Sequence, residues 1–394
     1  MKQQVKSVDT ITLYVEHGNR TMFMQQYGID FELQNPGVKI TVLDTEYSGI
    51  RQPDLIFIGS FEKYKQLVDE GRLTPLDSYI NQDRNKLIFY LESLMTIRGF
   101  EMFQSYTKDA LYALPLALYS GALFYNKDLF DQYNIPYPSD YITWDEVIEL
   151  AQRFPTHTNE GKPLYGLSST AMSGPITYIV EVAYMQGLPF FDSATWTISM
   201  NNPEWRTLWE AFLPGMKAGH FQLNQPVTPT NLDDHPFFLG QAAMLRDTIL
   251  LIHHLEKRSQ TGDAINWDMV TIPIISRNYP KSPYYMISEA YGIASDSPNK
   301  EAAWELLSFI IHHNPSVTKV ADRSLEPLYT LEFDYRPTQD IDILRLQHDL
   351  QLLASKQLIA VIQGEKTLDE ALQQLELEGQ NMLNEFRMKK DKSN

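Results

Sequence analysis

The sequence of 394 residues contains no cysteine. This absence excludes disulfide bonds, catalysis by a thiol and zinc sites built on cysteine. It does not fix the compartment, because exported and cytosolic proteins alike can lack cysteine. The chain also has no apolar run of the roughly 20 residues that a membrane-spanning helix needs. We therefore expect none of its helices to cross a bilayer.

Basic residues are scarce relative to acidic ones. The chain has 33 Lys and Arg residues against 50 Asp and Glu residues, which gives a formal net charge of −17. A surface of this sign repels phosphate groups, so it disfavours binding to nucleic acid and to anionic membranes. The simplest interpretation of the excess is solubility.

Familiar catalytic and cofactor motifs are missing as well. There is no G-x-G-x-x-G, no Walker phosphate loop, no G-x-S-x-G and no H-E-x-x-H. The pairs at 253–254 and 312–313 are adjacent histidines, which point about 100° apart on a helix and do not favour a shared metal ion. Asp-Asp-His at 233–235 lacks calcium-loop spacing and predicts a solvated turn. We expect no metal and no cofactor, although the many carboxylates leave a glycosidase-type acid pair as an alternative.

What the sequence does contain is a pattern of short strands and capped helices. Apolar segments bounded by polar loops predict strands at 10–15, 38–43 and 55–58. Thr143 and Thr367 each begin a capping box, with glutamate three residues later. Strands alternating with helices are typical of an α/β protein, and this length predicts two or three lobes. No signal-peptide pattern precedes the first strand, so the protein is either cytosolic or exported with its leader removed.

The most informative segment is residues 111–130. It contains Tyr-Ala-Leu-Pro at 112–115, a short apolar stretch, and Tyr-Asn-Lys-Asp-Leu-Phe at 125–130, where Asn126 is expected to cap a helix. This combination resembles the interlobe crossover of the extracellular solute-binding proteins of family 1, the maltose-binding-protein-like sugar-binding components of ABC importers. Further stretches resemble that family in the expected order: residues 31–40, 53–57, 71–77, 136–146, 238–244 and 291–304.

The resemblance implies an α/β, periplasmic-binding-protein-like fold, with two α/β lobes joined by a crossing-strand hinge and the ligand cleft between them. The implied N-terminal lobe is 8–117 plus 268–313, the C-terminal lobe is 122–263 plus 318–394, and the hinge lies near 117–122, 263–268 and 313–318. The implied protein is a monomeric binding protein rather than an enzyme. It would capture a sugar or oligosaccharide by lobe closure and deliver it to the membrane permease subunits of an ABC importer. Its location would be extracytoplasmic, either periplasmic or lipid-anchored.

Candidate ligand-binding residues follow from this fold, because ligands of α/β proteins bind where loops leave the carboxyl ends of strands. They are Glu16, His17, Asn19, Ser60, Phe61, Tyr119, Ser173, Pro175, Tyr178, Arg246, Asp247, Ser288 and Glu289. Residues 245–248 and 286–290 depart from the family pattern, so ligand identity is expected to depend on them. Arg246, Asp247 and Glu289 could instead form a structural set of salt bridges. Trp196 and Trp267 are candidate stacking platforms for a sugar ring, while the other four tryptophans lie on predicted helices and suit a core.

Two alternatives stay open at this stage. The same fold could bind a different solute, such as iron, a polyamine or a phosphate ester, and the adjacent Tyr284 and Tyr285 are of the type that ferric-binding relatives use. A carbohydrate-active enzyme is the other alternative.

Overall fold

The computed structural model describes residues 11–17, 19–43, 52–84, 87, 106–107, 110–170, 174–223, 232–284, 286–313, 325–334, 336 and 341–393. The chain divides into two compact units. The first comprises Met1–Ser120 and Tyr284–Phe333, and the second comprises Gly121–Pro283 and Asp334–Asn394.

Helices and strands alternate along most of the chain. The strands are β1 Ile11–Glu16, β2 Val38–Leu43, β3 Leu55–Ile58, β4 Leu114–Tyr119, β5 Gly121–Asn126, β6 Tyr165–Ser169, β7 Phe191–Asp192, β8 Thr197–Ile198, β9 Ala242–Thr248, β10 Trp267–Thr271, β11 Lys281–Ser282, β12 Met286–Ile293 and β13 Glu332–Phe333. The helices are α1 Arg20–Phe23, α2 Ile29–Gln34, α3 Phe61–Asp69, α4 Asp77–Gln82, α5 Lys127–Gln132, α6 Trp144–Ala151, α7 Ile176–Gln186, α8 Pro203–Ala218, α9 Leu250–Thr261, α10 Lys300–His313, α11 Glu326–Tyr329, α12 Ile341–Ile362 and α13 Leu368–Ser393. A π-helical segment, Met24–Gly28, joins α1 to α2.

The first unit is built on a five-stranded sheet of order β2-β1-β3-β12-β4. Strands β1, β2 and β3 are parallel, and β12 runs antiparallel to both β3 and β4. Three of the four residues of β3 are buried, as expected for an internal strand covered on both faces. The predicted strands at 38–43 and 55–58 are thus confirmed, and β1 matches the first predicted strand.

A buried carboxylate ties the parts of the first unit together. Asp54 accepts hydrogen bonds from the Tyr14 amide at 2.9 Å and from the Ser297 hydroxyl at 2.6 Å. Asp54 precedes β3, and Ser297 lies just before α10, whose apolar residues include the buried Leu306 and Ile310. These bonds satisfy an otherwise costly buried charge. They also link the Pro-Asp segment before β3 to the Ser-Pro segment before α10.

The second unit contains a four-stranded sheet of order β10-β5-β9-β6. All six residues of β5 are buried, because this strand lies between β10 and β9. Strand β9 runs antiparallel to β5 and parallel to β6. Helix α7, which is rich in apolar residues, buries Ile179 and Val182, and its left-handed end at Gly187 has φ +72°. The long helices α12 and α13 complete this unit.

Helix starts agree with the sequence-based expectations. The Asn126 side chain accepts a hydrogen bond from the Leu129 amide at 3.3 Å and so caps α5. Thr143 and Glu146 form a complete capping box at the start of α6. Thr367 accepts a hydrogen bond from the Glu370 amide at 3.2 Å, while the Glu370 carboxylate accepts one from the Thr367 amide at 2.8 Å.

The boundaries of the two units differ from those drawn from the sequence. The sequence-based division returns the chain to the N-terminal lobe at 268. In the structure β10 pairs with β5 along its length, from Trp267 opposite Asn126 to Thr271 opposite Ala122. The chain therefore returns to the first unit only at Tyr284. The strand pairing of β10 determines this difference, and such non-local pairing leaves no mark on the local sequence pattern.

Candidate functional site

Several predicted site residues of the first unit meet at one edge of its sheet. Strands β1, β3 and β4 end there, and the antiparallel β12 begins there, with Ile58 opposite Ala290 and Tyr119 opposite Met286. We call this the first edge and define it by His17, Ser60, Phe61, Tyr119 and Glu289. The expectation that loops at the carboxyl ends of strands bring these positions together is met by the strand register.

His17 follows β1 and is 5% exposed. Its ring lies 5.0 Å from that of Phe57 and 5.4 Å from that of Phe23, measured between centroids. The Asn19 amide donates a hydrogen bond of 2.9 Å to Nδ1 of His17. Burial lowers the pKa of the His17 imidazole, so the neutral form is favoured. Packing and this turn account for His17 without a ligand.

Asn19, Ser60 and Phe61 lie at helix starts. The Asn19 side chain caps α1 by accepting from the Met22 amide at 3.0 Å, and Ser60 caps α3 by accepting from the Lys63 amide at 3.1 Å. Phe61 is half-buried and stacks on Tyr64 with the ring centroids 6.0 Å apart. The two polar residues therefore have structural partners, which the capping preferences of Asn and Ser explain.

Glu289 supplies a half-buried carboxylate at the first edge. It accepts a hydrogen bond of 3.1 Å from the hydroxyl of Tyr291, a fully buried residue. Burial raises the pKa of the Glu289 carboxyl above its usual range, and the Tyr291 hydrogen bond opposes this rise. Burial raises the pKa of the Tyr27 hydroxyl, and the nearby Glu289 charge adds to this rise. A carboxylate held among tyrosines can accept hydrogen bonds from ligand hydroxyls.

The second unit presents a comparable edge. Strands β6, β9 and β10 end there and β5 begins there, with Ser169 opposite Arg246 and Gly121 opposite Thr248. We call this the second edge and define it by Gly121, Thr170, Arg246 and Asp247. The predicted pair Arg246 and Asp247 thus lies at a carboxyl edge, in the position that the fold expectation assigned to it.

Arg246 and Asp247 have partners that the sequence did not reveal. Arg246 Nε lies 2.5 Å from Oε1 of Glu181, a residue of α7, and the two side chains are 17% and 7% exposed. Asp247 accepts a hydrogen bond of 2.7 Å from the Thr170 hydroxyl and one of 2.6 Å from the Thr248 amide. The sequence did offer one signal for Glu181, because it is a charged residue within the otherwise apolar sequence of α7. Of the alternative salt-bridge set, Arg246 thus has an ion-pair partner within its own unit, and Glu289 accepts a hydrogen bond from Tyr291 within the first unit.

Pro175 and Tyr178 belong to the start of α7. Pro175 precedes the helix, and Gly174 before it adopts φ +75°, where a Cβ would stand 2.5 Å from the Ser355 hydroxyl oxygen. Tyr178 is 2% exposed, and its hydroxyl donates toward the carbonyl oxygens of Leu167 and Gln222, at 3.4 and 3.2 Å. Its position in the core of the second unit gives Tyr178 a structural role of its own.

Some predicted positions lie outside what the structure describes. They are Ser173 and Tyr285 as whole residues, and the side chains of Glu16, Tyr119 and Ser288. The backbone of the last three is described, at the end of β1, the end of β4 and within β12. Their participation in ligand binding stays a prediction.

The tryptophans are mainly core residues. Trp205 and Trp209 are fully buried, and Trp144 and Trp304 are 3% and 4% exposed, as the helical positions predicted. Trp267 is 5% exposed and lies at the first residue of β10, at the end of the strand remote from the second edge. Trp196 stacks on Phe191, with the centroids 6.2 Å apart, and its carbonyl oxygen accepts from Gln380 of α13. Neither of the two candidate platforms lies at an edge defined above.

His235 is a further correction, because the segment 233–235 was predicted to be a solvated turn. The turn exists as a 3₁₀ segment, Leu232–Asp234, but His235 is 1% exposed. Its Nδ1 accepts a hydrogen bond of 3.3 Å from the Phe237 amide. Within the described residues, no group of three or more His, Asp or Glu side chains is arranged to hold a metal ion. No helix in the described ranges combines the length and the apolar character needed to cross a membrane.

Comparison with known proteins gives one family. The sequence profile of the family described as "Bacterial extracellular solute-binding protein" matches residues 17–312. Among curated relatives, a protein named as a binding protein of Brucella abortus (strain 2308) is 23% identical over 295 residues, which are 71% of this chain and 66% of that protein. A Brucella suis protein matches to the same extent. The chain thus spans just under two thirds of the length of these relatives.

Solved structures share the fold over nearly the whole chain. A sugar transporter from Rhizobium etli in an open conformation has a TM-score of 0.56 at 17% identity, covering 94% of this chain and 99% of that one. A solute-binding protein of an ABC transporter from Agrobacterium vitis S4, with bound D-mannitol, gives 0.55 at 19% identity, covering 97% and 99%. The sugar-binding protein MalE of Xanthomonas citri gives 0.56 at 16% identity, covering 96% and 99%. At these identities the likeness is one of fold.

Proposed function

Because this chain belongs to the bacterial extracellular solute-binding proteins, we propose that it binds a sugar or a related polyol outside the cytoplasm and delivers it to an ABC importer. Its fold is α/β of the periplasmic-binding-protein type, as the sequence resemblance predicted. The proposed role is binding without chemical conversion of the ligand.

The observation that carries the proposal is the placement of hydrogen-bonding groups at the two edges. Glu289 at the first edge is an acceptor, and Arg246 and Asp247 at the second edge supply a donor and an acceptor. Carboxylate and guanidinium groups form strong hydrogen bonds, and a sugar offers adjacent hydroxyls that donate and accept at once. Both edges are formed by the carboxyl ends of strands, which is where α/β proteins bind ligands.

The nature of the solute is inferred from the neighbours together with this chemistry. One structural neighbour holds bound D-mannitol, and another is a sugar-binding protein. We propose that hydrogen-bonding groups of these edges contact the sugar, and that the partners are the membrane subunits of the importer. Attachment by a lipid anchor or free residence outside the membrane are both consistent with the family.

A thermal-shift screen tests this proposal. Monosaccharides, sugar alcohols and oligosaccharides are added one at a time to the purified chain. A true ligand at 100 times its Kd stabilises the folded state by about 2.7 kcal/mol, so the melting temperature rises. The variant Asp247→Asn should reduce that rise, whereas Asp369→Asn should preserve it, because Asp369 pairs with Arg206 on the surface at 2.6 Å. If iron, a polyamine or a phosphate ester stabilises the chain and no sugar does, the proposal is wrong.

A further inference from the structure

Glu181 is the most deeply placed charged group near the second edge. It projects from the apolar helix α7, is 7% exposed, and contacts Nε of Arg246 at 2.5 Å. An arginine keeps its charge at all physiological pH values. Burial raises the pKa of the Glu181 carboxyl, and the Arg246 guanidinium counteracts this by favouring the ionised form. A carboxylate this deep is retained at a cost in desolvation, so a role beyond stability is worth testing.

The pair also fixes the direction of the guanidinium. Glu181 occupies the Nε side, and Arg246 Nη2 lies 3.6 Å from the point where a Cβ on Gly121 would stand. Gly121 is the first residue of β5 and belongs to the second edge. Nη2 of Arg246 is therefore held beside the first residue of β5, at the second edge.

The net charge of the groups at the second edge does not favour binding of an anion. Arg246 carries the positive charge, and both Glu181 and Asp247 carry negative charges close enough for Asp247 to raise the pKa of Glu181. A ligand carboxylate that approached Arg246 would meet the Asp247 carboxylate, and like charges at close range are costly. A neutral hydroxyl can accept a hydrogen bond from Arg246 and donate one to Asp247 without that electrostatic cost.

We propose that Glu181 is a positioning residue that orients and neutralises Arg246, so that the second edge selects uncharged sugars over sugar acids. This inference rests on the proposed function and adds the charge class of the ligand to it. It differs from the simplest expectation for an arginine at a binding edge, which is recognition of a carboxylate or phosphate.

Matched probe pairs test the inference on the wild-type chain first. Calorimetric titrations are made with glucose and glucuronate, galactose and galacturonate, and mannitol and mannonate. We expect the neutral member of any pair that binds to have a Kd at least about tenfold lower than its acid, which corresponds to about 1.4 kcal/mol. Equal or tighter binding of the acid would contradict the inference while leaving sugar binding intact. If neither member of any pair nor any other sugar binds, the proposed function itself fails, and the inference with it.

Two variants then locate the cause. In Glu181→Gln the guanidinium loses its counter-charge, so the ratio of acid Kd to neutral Kd should fall by about tenfold, whereas a purely structural role would weaken both probes alike. Glu146→Gln is the matched control, because Glu146 pairs with Arg277 at 2.8 Å at the surface, away from the second edge, and its ratio should equal that of the wild type.

A second variant keeps the test open if Glu181→Gln does not fold. In Asp247→Asn the carboxylate that repels a ligand acid is replaced by a neutral amide, so the ratio of acid Kd to neutral Kd should fall by about tenfold. An unchanged ratio in the folded Asp247→Asn protein would overturn the inference. An unchanged ratio in a folded Glu181→Gln protein, verified by near-ultraviolet circular dichroism, would overturn it as well.

Discussion

At the scale of single residues, Tyr178 has two competing explanations. The sequence places it among the ligand-binding candidates, but the structure buries it and directs its hydroxyl toward the carbonyl oxygens of Leu167 and Gln222. Replacing Tyr178 by Phe removes one buried hydroxyl and keeps the ring. We expect a loss of about 1 kcal/mol in the free energy of unfolding, measured by urea denaturation, with sugar affinity unchanged.

Tyr137→Phe is a suitable control for this substitution. Tyr137 is 41% exposed and its hydroxyl donates to Asp131 at the surface, so its removal should change stability by less than about 0.5 kcal/mol. If Tyr178→Phe keeps its stability but loses sugar affinity, the ligand-binding prediction is right and the packing explanation is wrong.

Glu289 predicts a pH dependence of stability. Burial raises the pKa of its carboxyl in the folded state above the unfolded value. Protonated Glu289 therefore stabilises the fold fully at any pH below the pKa that its carboxyl has in the unfolded chain. This stabilisation is lost as the pH rises through the higher pKa that the carboxyl has in the folded protein. Glu289→Gln removes this pH-dependent contribution to stability, because Gln does not titrate. The Gln side chain can still accept the hydrogen bond from the Tyr291 hydroxyl.

The measurement is the melting temperature of both proteins from about pH 4 to pH 8. The variant should lose less stability than the wild type as pH rises, so the difference between the two curves grows in favour of the variant. Exposed carboxylates with lowered pKa, such as Glu146 and Glu370, are common to both proteins and cancel in that difference. Parallel curves would show that Glu289 does not titrate in this range.

The contacts of individual side chains could be predicted from the sequence only in part. Arg246, Asp247 and Glu289 were identified because they lie in segments that depart from the family pattern, and the strand register places these segments at the edges. Glu181 was missed, because its partner is 65 positions away and only the fold brings α7 beside β9. His235 was misread for a similar reason, since local composition cannot show that a polar turn is covered by the rest of the unit.

At the scale of elements, the start of α6 offers a sharp test. Thr143 accepts from the Glu146 amide at 3.3 Å, and Glu146 accepts from the Thr143 amide at 2.9 Å. Thr143→Ala removes the side-chain acceptor and should lower the free energy of unfolding by about 1 kcal/mol. Thr143→Ser keeps the acceptor and should stay within about 0.3 kcal/mol of the wild type in the same denaturation series. Equal stability of the two variants would mean that the cap contributes nothing.

Strand β6 and helix α6 make a close contact that depends on one glycine. A Cβ on Gly166 would stand 2.0 Å from the carbonyl oxygen of Ala151, a backbone atom that cannot turn aside. Gly166→Ala should therefore force β6 away from α6 and cost about 3 kcal/mol or more in unfolding free energy. Gly364→Ala is the comparison, since its Cβ would meet open space and only the φ of +76° is strained, at about 1 kcal/mol. A smaller loss at 166 than at 364 would contradict the described packing.

Elements with strong local signals were predictable, and their partners were not. The strands at 38–43 and 55–58 and the capped helices at 143 and 367 follow from apolar runs and capping residues. The pairing of β10 with β5 joins residues about 145 positions apart, and because of it the chain returns to the first unit at Tyr284 and not in the predicted 263–268 region.

At the scale of the whole molecule, the fold was predicted from the order in which several weak sequence motifs follow one another along the chain. Each short stretch constrains a local turn or cap, and their shared order along the chain specifies a single family, which the profile match over residues 17–312 supports. The ligand is a different matter, because the segments that depart from the family pattern are the ones expected to contact it. Two edges with hydrogen-bonding side chains are a physical basis for sugar binding, and they lie in separate units.

The most direct test of the account is a calorimetric titration with the sugar that raises the melting temperature most. We expect one sugar bound per chain, with no product formed, and an affinity that falls about tenfold or more in Asp247→Ala, because this substitution removes a charged acceptor from the second edge. Asp369→Asn should bind like the wild type. Full affinity in Asp247→Ala, or steady release of a reaction product, would contradict the account.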